Sequence, residues 1–165
     1  MSQVERKADG TEDLTDAVKR ELDAHLKQYL NDPEKAHIWD PIVIGVPGGP
    51  VPCLLLTMTG RKSGRTLHTV LQYYKVGDEI IIVASRGGTE EHPTWYLNLL
   101  AQPECIMQIG KAVTPVRART IDLKDRGRYW DAVTKEQPIQ LEYQKRTSRI
   151  IPLIILEPRA TAISR

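Results

Sequence analysis

From Cys53 onward the chain is a succession of short apolar runs, several of them joined by turns too tight to hold a helix. The runs stand at 53–58, 67–75, 79–84, 105–109, 113–120 and 150–156, with tight turns at Lys75-Val76-Gly77-Asp78 and Gly110-Lys111. Strand and helix do not alternate, so about six antiparallel strands closing into a small barrel are implied. The last run is apolar on both faces apart from Pro152, which suits a strand in mid-barrel or one paired at an edge.

Helices flank this β region, giving a mainly β, α+β class. Over 13–30 the residues Leu14, Val18, Leu22, Leu26 and Tyr29 keep helical spacing, with Thr11 or Thr15 as candidate cap and a charged opposite face. Asn31-Asp32-Pro33 stops that helix, and a Gly/Pro-rich loop over 41–52 leads to the first strand. Further helices are expected at 93–101, at 123–136 with Asp122 as N-cap, and at 138–148. Residues 1–10 read as a polar tail. The expected division is a tail and amphipathic helix over 1–45 and a split-barrel domain over 46–165.

A chain of 165 residues can bury one real core without staples. Its net charge of +2 is unlike that of a nucleic-acid binder, but its distribution is uneven. Residues 1–40 carry net −4 and residues 41–165 net +6, and no acidic residue falls between Pro41 and Gly77. Membrane contact is at most peripheral, through the first helix, whose acidic bias disfavours anionic lipid. Cys53 and Cys105 read as reduced core residues of a cytoplasmic protein, and the scattered histidines suggest no metal site.

Two loops carry the chemistry. Thr59-Gly60-Arg61-Lys62-Ser63-Gly64-Arg65 packs three cations, two glycines and two hydroxyls into seven residues. It is either a solvated basic hairpin or a cradle for a polyanionic ligand. The second, Ala84-Ser85-Arg86-Gly87-Gly88, precedes His92-Pro93-Thr94-Trp95-Tyr96-Leu97-Asn98. On that helix Trp95 and Asn98 share a face. They are either a core aromatic and a locally bonded amide, or a surface for a planar heterocycle. In a meander the two loops can flank one cleft. Phosphate-binding, dinucleotide-binding, serine-hydrolase and zinc-protease motifs are all missing.

Leu54 through Gly64, then Val83-Ala84-Ser85-Arg86-Gly87-Gly88, then Pro93-Thr94-Trp95-Tyr96-Leu97-Asn98-Leu99 resembles the deazaflavin-dependent nitroreductase family. These are actinobacterial oxidoreductases that use coenzyme F420. The resemblance runs from about Pro52 to Pro158 and closes on Ile151-Pro152-Leu153-Ile154-Ile155-Leu156-Glu157-Pro158. It implies a split β-barrel related to FMN-binding barrels. It also implies that Arg61, Lys62, Ser63 and Gly64 hold the phosphate and glutamate tail. Val70, Leu71, Gln72, Val83, Ala84, Ser85 and Arg86 would then line the deazaflavin ring, with Thr94, Trp95 and Asn98 opposite. Three departures stand out. Leu67 and Val70-Leu71 replace the family's Arg-x-x-Pro-Leu, Arg86 replaces a lysine, and of Gln137, Gln140 and Tyr143, at places where nitroimidazole-active members carry tyrosines, only one is a tyrosine.

The activity so implied is hydride transfer from reduced F420 to a planar activated acceptor: a quinone, an α,β-unsaturated carbonyl or a nitroaromatic. Ser85 or Tyr143 would stabilise or protonate the acceptor oxygen. Two rivals are an FMN-dependent split-barrel oxidoreductase and a deazaflavin carrier without activity. A monomer or weak dimer is expected.

Overall fold

The computed structural model describes residues 15–160; the expected tail over 1–10, the candidate cap Thr11, and Asp13 and Leu14 lie outside the described residues. Helix α1 (Asp16–Asn31) starts where Thr15 Oγ1 accepts a hydrogen bond from Val18 N at 3.2 Å. It stops at Asp32, whose carboxylate caps the short helix α2 (Pro33–Ala36) in turn. Strand β1 (Ile38–Trp39) and a 3-10 turn (Pro41–Ile44) lead to the barrel.

The barrel strands are β2 (Val51–Thr59), β3 (Thr66–Gln72), β4 (Tyr74–Val76), β5 (Glu79–Val83), β6 (Glu104–Ile109), β7 (Ala112–Thr120) and β8 (Leu153–Pro158). Helix α3 (Thr94–Ala101) links β5 to β6, while α4 (Leu123–Glu136) and α5 (Ile139–Lys145) link β7 to β8. Pairing is antiparallel throughout, in the order β1-β2-β6-β7-β8-β5-β4, with β3 also on β2. The last strand sits mid-sheet. Helix α5 is shorter than the expected 138–148. Asp122 holds the N-cap position of α4, but its side chain makes no capping bond.

One expectation is corrected. The run at 67–75 is two strands, not one. Through Gln72 it pairs with β2; at Tyr73 it breaks away, and from Tyr74 it pairs with β5. Strands β3 and β4 therefore belong to opposite ends of the pairing order while adjoining at Tyr73. The sheet curls until its edges meet at that corner, which makes the barrel split.

The period of two along the strands explains why they are apolar on both faces. Leu54, Leu56 and Met58 of β2 point into the barrel core with Ile82, Val116, Ile154 and Leu156. Their neighbours Val51, Cys53 and Leu55 face outward, under Tyr29 and Ala36. Leu153 and Ile155 of β8 do the same beneath Tyr129 and Val133 of α4. Each fully buried aliphatic contributes about 1.5–3 kcal/mol. Both cysteines are buried and unpaired, and burial pushes each thiol up to about 12, which leaves them inert.

Tyr29 fixes α1 to the sheet. Its side chain is 0% exposed. The hydroxyl proton is shared between the carbonyls of Cys53 (3.0 Å) and Gln108 (3.1 Å), while its oxygen accepts from Gly110 N at 2.9 Å. Burial is the main reason this phenol is pushed up to about 12. No helix among the described residues is long and apolar enough to cross a membrane.

Candidate active site

Where β3 and β4 part, the seam of the sheet opens into a cavity of about 250 Å³. Val70, Leu71 and Gln72 of β3, Tyr74 of β4 and Val83 of β5 form its strand side. Ser85, Arg86 and Gly87 follow from the next loop, and Trp95 from α3. Gln137, Gln140 and Tyr143 close it from the end of α4 and from α5.

A further wall was not expected from the sequence. Leu22 and His25 of α1, with Trp39, Pro41, Ile44 and Val46, line the same cavity. His25 and Trp39 stack with ring centroids 4.5 Å apart and planes 12° apart. His25 Nε2 meets the Ala36 carbonyl at 2.9 Å. The signal was present: His25 falls on the helix face already marked by Leu22, Leu26 and Tyr29.

The 84–88 loop is held in an unusual shape. Arg86 has φ +45°, the one left-handed non-glycine among the described residues. Arg149 over-determines it. Its guanidinium donates to Ala84 O at 3.1 Å, Ser85 O at 2.8 Å and Thr89 O at 2.8 Å. The planar fork matches three carbonyls that a lysine could not reach together. On the other side the loop presses against α5. A Cβ on Gly88, itself at φ +83°, would stand 2.9 Å from Tyr143 Cα. That close approach places Ser85 and Tyr143 on one cavity.

The basic turn is built just as tightly. Gly60 N donates to Arg65 O and Gly64 N to Gly60 O, both at 2.8 Å, and Ser63 Oγ accepts from Arg65 N at 3.1 Å. Arg61, Lys62 and Arg65 make no ion pair among the described residues. Asn98 Oδ1 accepts from Arg61 N at 3.0 Å and from its guanidinium at 3.3 Å.

Of the residues singled out in the sequence, Val70, Leu71, Gln72, Val83, Ser85, Arg86, Trp95 and Tyr143 line the cavity. Ala84 lies behind them in the core. Thr94 starts α3 outside the lining, and Asn98 faces the turn. Arg61, Lys62, Ser63 and Gly64 sit beyond the Thr66 end of β3, away from the lining. The basic turn thus lies at the Thr66 end of β3, while the loop after β5 lines the cavity.

Polar groups in the cavity are only partly satisfied. Gln137 Nε2 donates to Gln72 Oε1 at 3.4 Å, and Gln140 Nε2 donates to Tyr74 Oη at 3.3 Å. Gln72 Nε2 and Gln140 Oε1 are buried without partners, as is Asn98 Nδ2. Burial raises the Tyr143 phenol, against the opposing Arg146 guanidinium 5.2 Å above its ring. Tyr143 therefore keeps its proton at neutral pH.

Fold and cavity together define a split-barrel protein with an open cavity at the seam of its sheet. A family model described as F420H(2)-dependent quinone reductase matches residues 41–158. The F420H(2)-dependent quinone reductase Rv1261c of Mycobacterium tuberculosis is 38% identical over 117 residues, spanning 69% of this chain and 78% of that protein. A solved F420-H2 dependent reductase, FDR-A, superposes with TM-score 0.59 at 36% identity, covering 64% of this chain and 94% of that one. A second solved structure, described as a domain-swapped dimer, gives TM-score 0.61 at 29% identity, covering 84% of this chain and 99% of that one. The chain belongs to the F420H(2)-dependent quinone reductase family, whose members are oxidoreductases dependent on reduced deazaflavin. The match begins at Pro41, ahead of Pro52, and so takes in the 3-10 turn that lines the cavity.

Proposed function

We propose that the chain binds F420H2 with its deazaflavin ring in the seam cavity and its tail laid along β3 to the basic turn, and reduces a planar acceptor stacked beside the ring. The observation that carries this reading is a separation. Val70 to Gln72 lie four to six residues from Thr66, the turn-proximal end of β3, or roughly 13–20 Å at about 3.3 Å per residue. A flat head with one short phosphate, as in FMN, would fill the cavity and leave Arg61, Lys62 and Arg65 uncompensated. A lactyl-polyglutamate tail spans the gap and brings the negative charges to them.

The residues fit that cofactor. Gln72 Nε2 and Asn98 Nδ2 are buried donors without partners, one in the cavity and one beside the turn. Carbonyl, phosphate and carboxylate oxygens are the acceptors they lack.

When bound, the reduced deazaflavin supplies a hydride. The chain then has to place the acceptor, exclude water and manage the charge that develops on the acceptor oxygen. The His25–Trp39 stack and Trp95 offer aromatic surfaces for a planar ring. Ser85 and Tyr143 donate hydrogen bonds to the acceptor oxygen, and Tyr143 carries a proton it can yield. A quinone is the acceptor class favoured by the family; unsaturated carbonyls and nitroaromatics share the planarity and the oxygen.

The test is anaerobic turnover of F420H2 with menadione, followed by the loss of reduced cofactor. Oxidation that needs both protein and quinone supports the reading. Tight deazaflavin binding without turnover on any of the three acceptor classes would make the protein a carrier instead.

A further inference from the structure

Gln140 is 7% exposed and lines the cavity, yet its amide is only half used. The nitrogen is committed to Tyr74 Oη at 3.3 Å, and Oε1 is buried without a partner. Burial raises the Tyr74 phenol well above its ordinary value, so the hydroxyl that anchors the amide stays neutral. Gln137, 5% exposed, is likewise committed, to Gln72. A buried acceptor left unpaired is unusual, because native proteins rarely leave such an atom without a partner. In the free protein water can meet it; a ligand that displaces the water must offer an N–H or O–H in its place.

Resting on the reading above, we infer that Gln140 is a specificity-determining residue, and that its free oxygen selects quinones carrying an N–H or O–H beside a ring carbonyl. An alkyl quinone of the same shape would bury Oε1 unpaired and bind more weakly. The pyrimidinedione edge of the deazaflavin presents the same chemistry, a carbonyl beside an N–H. The experiment therefore has to separate acceptor from cofactor.

The protein is first loaded with oxidised F420, which cannot donate a hydride, and the uptake is recorded. It is then titrated by calorimetry with 2-amino-1,4-naphthoquinone and with 2-methyl-1,4-naphthoquinone, which differ in shape by little more than N–H for C–H. The wild-type chain should bind the amino compound about tenfold more tightly. In Gln140→Leu that ratio should fall to near one, read at saturating F420 so that a change in cofactor affinity does not enter it.

Equal affinity for the two quinones in the wild type overturns the inference without recourse to any variant. So does a ratio unchanged in Gln140→Leu. A variant that keeps the ratio and loses F420 affinity about tenfold assigns the oxygen to the deazaflavin edge, and again the inference fails. Failure to take up F420 at all, seen at the loading step, removes the underlying reading and this one with it.

Discussion

The backbone N–H of Arg61 lies 3.0 Å from the amide oxygen of Asn98, so a turn between two strands is fixed to a helix 37 positions further on. The Arg61 guanidinium meets the same oxygen at 3.3 Å. One buried side chain, 2% exposed, thus presets both the turn and its first cation. The helix that carries Asn98 also carries Trp95, which lines the cavity. Basic turn and cavity share one rigid support.

Asn98→Ala should therefore act at a distance from the ring. Loss of a charge-assisted bond is worth about 1.5–3 kcal/mol, so F420 affinity should fall roughly tenfold or more. Arg61→Ala should do likewise, and neither should change FMN affinity appreciably. Fluorescence titration with the two cofactors decides it; equal losses for both would detach the turn from the tail.

Arg86 is left-handed at φ +45° and is held there by the carbonyls that Arg149 gathers. Such a backbone costs about 1–3 kcal/mol in a non-glycine residue. Arg86→Gly relieves it and loosens the unfolded chain by a comparable amount. The two backbone effects largely cancel, so a change in the urea midpoint reports contacts of the Arg86 side chain, while F420 binding weakens. A large loss of stability would mean that the Arg86 side chain supports the fold and not the ligand.

Tyr29→Phe removes the hydroxyl shared by Cys53, Gln108 and Gly110 and leaves the ring volume unchanged. The buried Cys53 carbonyl and the half-buried Gln108 carbonyl and Gly110 N–H lose this partner. A loss of about 1–3 kcal/mol is expected from the urea midpoint, along with a weaker grip of α1 on the cavity. An unchanged midpoint would contradict the role given to this contact.

Acid should destabilise the fold through two imidazoles. Burial lowers His25, and burial with the Arg149 charge lowers His92. Each binds its proton less readily folded than unfolded, so below the ordinary value of 6.5 the unfolded chain takes up more protons. The stability they contribute is complete above 6.5 and is lost as the pH falls through the lowered folded values. The urea midpoint should drop between pH 7.5 and 5.5, and less so in His25→Gln. A flat or rising midpoint would contradict the sign.

The strands were legible because their apolar residues, turn glycines and hairpin spacing agree with one another. The break at Tyr73 was not, since Tyr73-Tyr74 favours a continuing strand and no glycine or proline marks a bend. Distant groups set it: Tyr73 N bonds Pro52 O at 3.2 Å, and Tyr73 Oη meets His37 Nε2 at 2.8 Å. The residues expected around a ring came from the family resemblance, and most of them line the cavity. Arg149 escaped notice because an arginine beside Ser148 reads as a surface cation; its role depends on a loop 60 positions away. The separation of the turn from the cavity was equally hidden, because loop order does not fix where a kinked strand delivers its ends.

The most direct test compares F420 with its tail-free head, the deazaflavin riboside, at low and at moderate ionic strength. A ligand bridging the Gln72 cavity and the Arg61 turn should bind tightly and weaken as salt rises, whereas the riboside binds weakly with little salt dependence. Equal affinities, with equal indifference to salt, would mean that the cationic turn holds nothing.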